Sequence, residues 1–149
     1  MRARDFLTKE ECSALTAAIV AAERRTSGEI RVHIDNRCSS DPREKALKTF
    51  HVLDMASTAA RNGVLIYVAC SSRKVAVLGD KGINNLVPSG FWKDVCDVMT
   101  ASFAQGRNAE GLTKAVEMVG DKLLEFFPYS ADDVNELSDE ISFGDDADD

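Results

Sequence analysis

Three oxygen-bearing side chains stand beside glycine at the ends of apolar segments: Glu29 after Ser27-Gly28, Asn62 before Gly63, and Asp80 within Gly79-Asp80-Lys81-Gly82. Carboxylate and amide oxygens are hard donors, and glycine lets backbone carbonyls approach an ion without a side-chain clash. Glu29, Asn62 and Asp80, shaped by the backbone of Gly63 and Gly82, therefore suit Ca²⁺ or Mg²⁺ and do not suit zinc or copper. Two acids and an amide are few ligands. A site built from them keeps several waters and binds on the order of 10⁻⁴ to 10⁻³ M.

Other chemistry has less to work with. Cys12, Cys38, Cys70 and Cys96 form no CxxC pair, and His33 and His51 stand apart from them, so a zinc ribbon or finger is excluded. Cys12, Cys70 and Cys96 fall in apolar patterns and read as small core residues, whereas Cys38 lies in a polar stretch. Phosphoryl transfer needs an in-line nucleophile and dense positive or metal charge. The chain has no GxxxxGK[ST] loop, no strand ending in DxDx[TV] and no Cys-x5-Arg loop. His33, on a half-exposed strand face, has no visible partner as a catalytic base, and Tyr67 and Trp92 read as packing.

The elements that place these residues are legible from periodicity. Thr8 and Glu11 form a capping box, and Leu7, Cys12, Leu15, Ile19 and Ala22 recur at helical spacing, which gives a helix over about 9–25. Glu29 to Ile34 alternates as a strand with one well-buried side. Asp41-Pro42 opens a second helix to about Ala56, with Leu47, Phe50 and Leu53 inward. The apolar run from Val64 to Cys70 suits a central strand covered on both faces, and Val75–Leu78 completes a hairpin. Pro88-Ser89 opens a third helix that Gly106 closes, and Asn108 caps a fourth that Pro128 stops.

The order α-β-α-β-β-α-α has a geometric consequence. A strand-helix-strand connection within one sheet is parallel and right-handed, while the hairpin makes the third strand antiparallel to the second. The starts of the first two strands and the end of the third then share one rim. Glu29, Asn62 and Asp80, distant in sequence, are brought together there.

Four ordered motifs at compatible spacing resemble the TPM domain, and most closely its small bacterial branch. They are Thr26-Ser27-Gly28-Glu29-Ile30-Arg31-Val32, the stretch from Arg61-Asn62-Gly63 to Ala69, the stretch from Lys74 to Gly79-Asp80-Lys81-Gly82-Ile83-Asn84, and Phe103-Ala104-Gln105-Gly106 with Glu110-Gly111-Leu112. The resemblance covers about residues 6–128. It implies a three-layer α/β/α sandwich around a small mixed sheet, and it brings divalent cation binding and an acid phosphatase activity as properties associated with members. Many relatives carry Asp immediately before the Asn-Gly of the second strand. Arg61 stands there in this chain, so one potential carboxylate ligand is replaced by a cation.

Of the 149 residues, 25 are acidic and 18 basic, a net charge of −7. Nine of the acids and none of the bases lie in residues 129–149, which leaves residues 1–128 near neutrality. The division expected is a TPM-like domain over 1–128 and an acidic, disordered tail over 129–149. Val134, Leu137, Ile141 and Phe143 interrupt the acids and offer docking on the domain or a partner as the alternative. The net charge disfavours nucleic acid. The start MRARDFLTKEE is neither a signal peptide nor an organelle presequence, and no apolar run approaches the roughly 20 residues of a membrane span, so a soluble cytoplasmic protein is expected. The functional expectation is a module without a defined reaction that binds a divalent cation weakly, or a protein partner through the tail or the helix faces. The alternative is a metal-assisted acid phosphatase acting on phosphomonoesters.

Overall fold

The computed structural model describes residues 2–129 and 137–144. The expected disorder of residues 130–136 and 145–149 falls outside the described residues. A short 3₁₀ turn, Ala3–Asp5, leads into α1 (Lys9–Glu23). The capping box is present in full: Thr8 Oγ1 accepts the Glu11 N–H at 3.1 Å and Glu11 Oε1 accepts the Thr8 N–H at 2.9 Å. Leu15 and Ile19 of α1 are fully buried, and each such burial contributes roughly 1.5–3 kcal/mol.

β1 (Glu29–Asp35), α2 (Pro42–Val52) and β2 (Gly63–Ala69) form the expected crossover, with β1 and β2 parallel from Glu29↔Gly63 to Asp35↔Ala69. β3 (Lys74–Gly79) returns antiparallel to β2, from Val64↔Gly79 to Ala69↔Lys74. A one-turn helix, α3 (Lys81–Asn84), follows directly, then α4 (Phe91–Ala104) and α5 (Asn108–Phe126). A two-residue strand, β4 (Ser142–Phe143), joins the sheet beside β1, giving the order β3-β2-β1-β4. The result is a three-layer α/β/α arrangement around a mixed sheet.

Alternation sorts the strand side chains between two cores. Ile30, Val32 and Ile34 with Val64, Ile66, Val68 and Val77 meet α1, α4 and α5. Leu65, Tyr67, Ala69 and Ala76 face α2 together with Cys38, Phe50 and Met55.

Several local expectations need correction. β1 is buried on both faces, because on the side that carries His33 and Asp35 the Tyr67 ring of β2 stacks on His33 and its hydroxyl bonds Asp35, while Ser142 of β4 bonds His33. α2 stops at Val52 instead of continuing to Ala56, since Asp54 takes a left-handed conformation (φ 55°) and the chain turns into a 3₁₀ turn, Met55–Ser57. Its inward positions are Ala46, Thr49 and Phe50, whereas Leu47 is half-exposed. Cys12, Cys70 and Cys96 pack, partly buried, against the first core as expected, whereas Cys38, in its polar stretch, is buried in the second. Asn108 does not cap α5; its Nδ2 donates to the Phe6 carbonyl at 3.2 Å. Part of the acidic segment is also in place against the domain. Residues 137–144 run along β1, with β4 parallel to it at His33↔Ser142 and Ile34↔Phe143.

Candidate functional site

The register brings the expected residues to one rim. Glu29 lies opposite Gly63 on one side, and on the other the Asp80 N–H donates to the Gly63 carbonyl at 2.9 Å. Glu29 and Asp80 thus sit two strand spacings apart, about 9–10 Å between backbones, with Gly63 between them. Alternation along each strand puts both carboxylates on the α2 side of the sheet. Both are buried, as is Asn62, whose carbonyl accepts the Glu29 N–H at 3.4 Å.

The glycines do two different jobs. At Gly63 a Cβ would lie 3.0 Å from the Met55 carbonyl oxygen and 3.6 Å from the Leu137 and Met55 methyl groups, so the missing side chain lets these neighbours close in on the strand, with a backbone oxygen among them. At Gly82 a Cβ would overlap the carbonyl oxygens of Ala60 and Arg61, and the Gly82 N–H donates to Arg61 O at 2.8 Å. Gly82 therefore clamps α3 onto the chain entering β2, a packing role in place of the expected approach to an ion.

Each carboxylate already has a partner. Arg61, itself in a left-handed conformation (φ 52°), grips Asp80 with both arms: Nε to Oδ2 at 2.6 Å and Nη2 to Oδ1 at 2.9 Å. The same Asp80 Oδ1 accepts the Lys81 N–H at 2.8 Å and so caps α3. The bidentate bond holds the Arg61 guanidinium above its ordinary range. On the other side of Gly63, Glu29 Oε1 accepts the N–H of Leu137, and Leu137 Cδ1 lies 3.6 Å from where a Gly63 Cβ would stand. Glu23 belongs to the same neighbourhood: its Oε2 accepts the Ile30 N–H at 2.8 Å. Burial, then a side-chain hydrogen bond with Asp139 and repulsion from Asp139 and Glu29, push the Glu23 carboxyl up to about 9, against the opposing pull of the Ile30 N–H.

The donor types at the rim, two carboxylates, an amide and a backbone carbonyl, fit a hard divalent cation in kind, although the Asn62 amide donates to Ser27 Oγ at 3.4 Å. It is lean in number. Among the described residues no three His, Cys, Asp or Glu side chains group in a way that holds a metal ion. Bound there, an ion would be held by Glu29, Asp80 and Asn62, with waters completing its shell.

A second polar group lies further along β1. His33 Nε2 bonds Asp35 Oδ1 at 2.7 Å, the Tyr67 hydroxyl donates to Asp35 Oδ2 at 2.6 Å, and His33 Nδ1 meets Ser142 Oγ at 2.7 Å. Burial pushes the Asp35 carboxyl up, but the bonds from His33 and Tyr67 outweigh it and hold the group below its usual range. Burial and the Asp35 bond push the Tyr67 hydroxyl up. Sequence reasoning left His33 without a partner. The i, i+2 spacing of His33 and Asp35 on a strand, which puts both on one face, was the available signal; Ser142 had none.

Residues 1–122 match the TPM domain. Among solved structures, the chain is similar to the BA42 protein of the psychrophilic bacterium Bizionia argentinensis, with 42% identity, TM-score 0.87, and 94% of this chain and 97% of that one covered. The N-terminal domain of the cg2496 protein from Corynebacterium glutamicum shares the fold at 14% identity and TM-score 0.62, covering 78% of this chain and 74% of that one. The N-terminal domain of a protein from P. gingivalis does so at 21% identity and TM-score 0.66, covering 85% and 83%. No curated protein matches the sequence.

Proposed function

We propose, for a chain that belongs to the TPM domain family, a binding module whose rim takes a divalent cation, Ca²⁺ or Mg²⁺, weakly through Glu29, Asp80 and Asn62. The observation that supports this reading is the strand register that sets two buried carboxylates on either side of Gly63, under the Met55 carbonyl. Arg61 sets the affinity. It neutralises Asp80 in the apo state, so an ion must compete with a bidentate guanidinium as well as shed water, which keeps binding in the millimolar range.

Hydrolysis of phosphomonoesters has less support. Such a reaction needs positive charge directed at the transferred group, and the guanidinium at this rim is committed to Asp80. An ¹H–¹⁵N NMR titration with CaCl₂ and MgCl₂ tests the cation reading. Progressive shifts at the amides of Glu29, Asn62, Gly63 and Asp80 are expected, with a midpoint on the order of 1 mM. A rim unchanged at about 10 mM of either ion would remove it.

A further inference from the structure

The rim is flanked by a late segment of the chain, from which Leu137 packs on the second core and Ile141 and Phe143 on the first. Residues 137–144 lie outside the crossover and the hairpin, and both residues of β4 are only partly buried. The segment's polar attachments are specific. The Leu137 N–H is spent on Glu29, and Asp139 shares a hydrogen bond with Glu23. Ser142 Oγ meets His33, and the Gly144 N–H donates to Ile34 O at 2.9 Å. Phe143 lies under the Arg4 guanidinium, 5.2 Å from ring centroid to cation.

The first of these attachments uses the carboxylate that the cation reading assigns as a ligand. The Leu137 methyl also packs beside Gly63, the residue between Glu29 and Asp80. An ion that keeps part of its water shell cannot share that space with an apolar methyl group, and the N–H on Glu29 Oε1 takes up one of the carboxylate's acceptor positions.

We infer that residues 137–144 are an internal competitor of the cation: the docked segment bonds Glu29 and fills the space beside Gly63, and an ion bound at the rim displaces it from Leu137 onward. This rests on the cation reading above and adds its regulation. β4 is two residues long and both are only partly buried, so the segment is suited to local opening without unfolding of the domain. The observed affinity of the full chain is then the intrinsic affinity reduced by the fraction of molecules with the segment undocked. Release leaves the β1 edge at His33 and Ile34 without its strand partner, which converts an ion concentration into an exposed sheet edge.

The test uses the full chain in three forms: wild type, Leu137→Pro, which deletes the N–H given to Glu29, and Phe143→Ala, which loosens the segment away from the rim. Ca²⁺ affinity is read from the Glu29, Asn62 and Asp80 amide shifts. Amide hydrogen exchange is followed at Phe143 and Gly144 in all forms, and at Leu137 where it keeps its N–H. Ca²⁺ is expected to speed exchange of the Leu137 and Gly144 amides of the wild type about tenfold, and both variants are expected to bind Ca²⁺ about three- to tenfold more tightly. Equal affinity in all three forms, with unchanged exchange in the wild type, overturns the competition and leaves the cation site standing. Slower exchange with Ca²⁺ overturns it as well, because the segment would then be contributing ligands. Absence of Ca²⁺ shifts in every form removes both the site and its competitor.

Discussion

Glu29 and Asp35 are the two carboxylates at the ends of one strand, six positions apart on the same face of β1 and both buried, yet they are held in different ways. Asp35 is closed from within the domain, by His33 two residues before it and by Tyr67 on the neighbouring strand. Glu29 is bonded by a backbone N–H of a segment more than a hundred residues later, whose Leu137 methyl packs beside Gly63. A buried acid whose partners are core side chains serves the fold. One bonded by a backbone N–H of a late, short strand segment is the candidate for exchange. On the proposed reading the strand carries a structural end and a functional end.

The strongest way to break that distinction is to remove each carboxylate in turn. Asp35→Ala strips two charge-assisted bonds from a fully buried site and is expected to cost about 3–5 kcal/mol in urea unfolding. Glu29→Ala should cost no more than about 1–2 kcal/mol, with the larger effect on cation affinity. Equal losses of stability at the two positions would erase the difference between the ends. Gly82→Ala probes the clamp that holds the functional end together. Its Cβ has no room against the Ala60 and Arg61 carbonyls, so a loss of about 1–3 kcal/mol is expected, with displaced amide resonances at Arg61 and Asp80.

The two ends should also answer pH with opposite signs. Asp35 titrates below its ordinary value in the folded chain, so its contribution is present above the usual carboxylate range and is lost as pH falls through the folded value. Glu23, beside Glu29, is raised from 4.5 to about 9, so the folded chain keeps a proton that the unfolded chain has released. That contribution is complete below about pH 4.5 and fades as pH climbs toward about 9. Chemical denaturation from pH 5 to 9 should show a decline that Glu23→Gln flattens, with exchange at Leu137 quickening over the same interval in the wild type. The smallest effect is expected from Ser142→Ala, which removes one bond to His33 at a partly exposed site. It should change global stability by under about 1 kcal/mol and raise exchange only at Phe143 and Gly144.

The difference between the ends also marks how far the sequence could be read. The functional end was legible because it follows from topology: a βαβ crossover and a hairpin have one permitted arrangement, and that arrangement puts Glu29, Asn62 and Asp80 on a common rim. The sequence also showed that Arg61 stands where relatives often carry an acid, but its grip on Asp80 depends on the left-handed backbone at Arg61, which periodicity does not encode. The short α3 was missed because Asp80-Lys81-Gly82 reads as a turn until Asp80 is seen to cap it. The docking of residues 137–144 was weighed as an alternative and not located, since two half-buried residues added to an edge produce almost no apolar pattern. His33 was misjudged for a related reason: a strand with one polar side looks half-exposed until Tyr67 of β2 and Ser142 of β4 are placed beside it.

The central claim is that Glu29, Asn62 and Asp80 reach one ion, and paramagnetic broadening by Mn²⁺ in the full chain tests it most directly, because the effect falls steeply with distance from the bound ion. The account predicts that substoichiometric Mn²⁺ broadens the amides of Gly28–Ile30, Asn62–Val64 and Gly79–Gly82 together and leaves the hairpin turn at Ser71–Arg73, at the far end of the sheet, sharp. Broadening centred on the acidic residues 130–149, with those three rim segments unaffected, would contradict it.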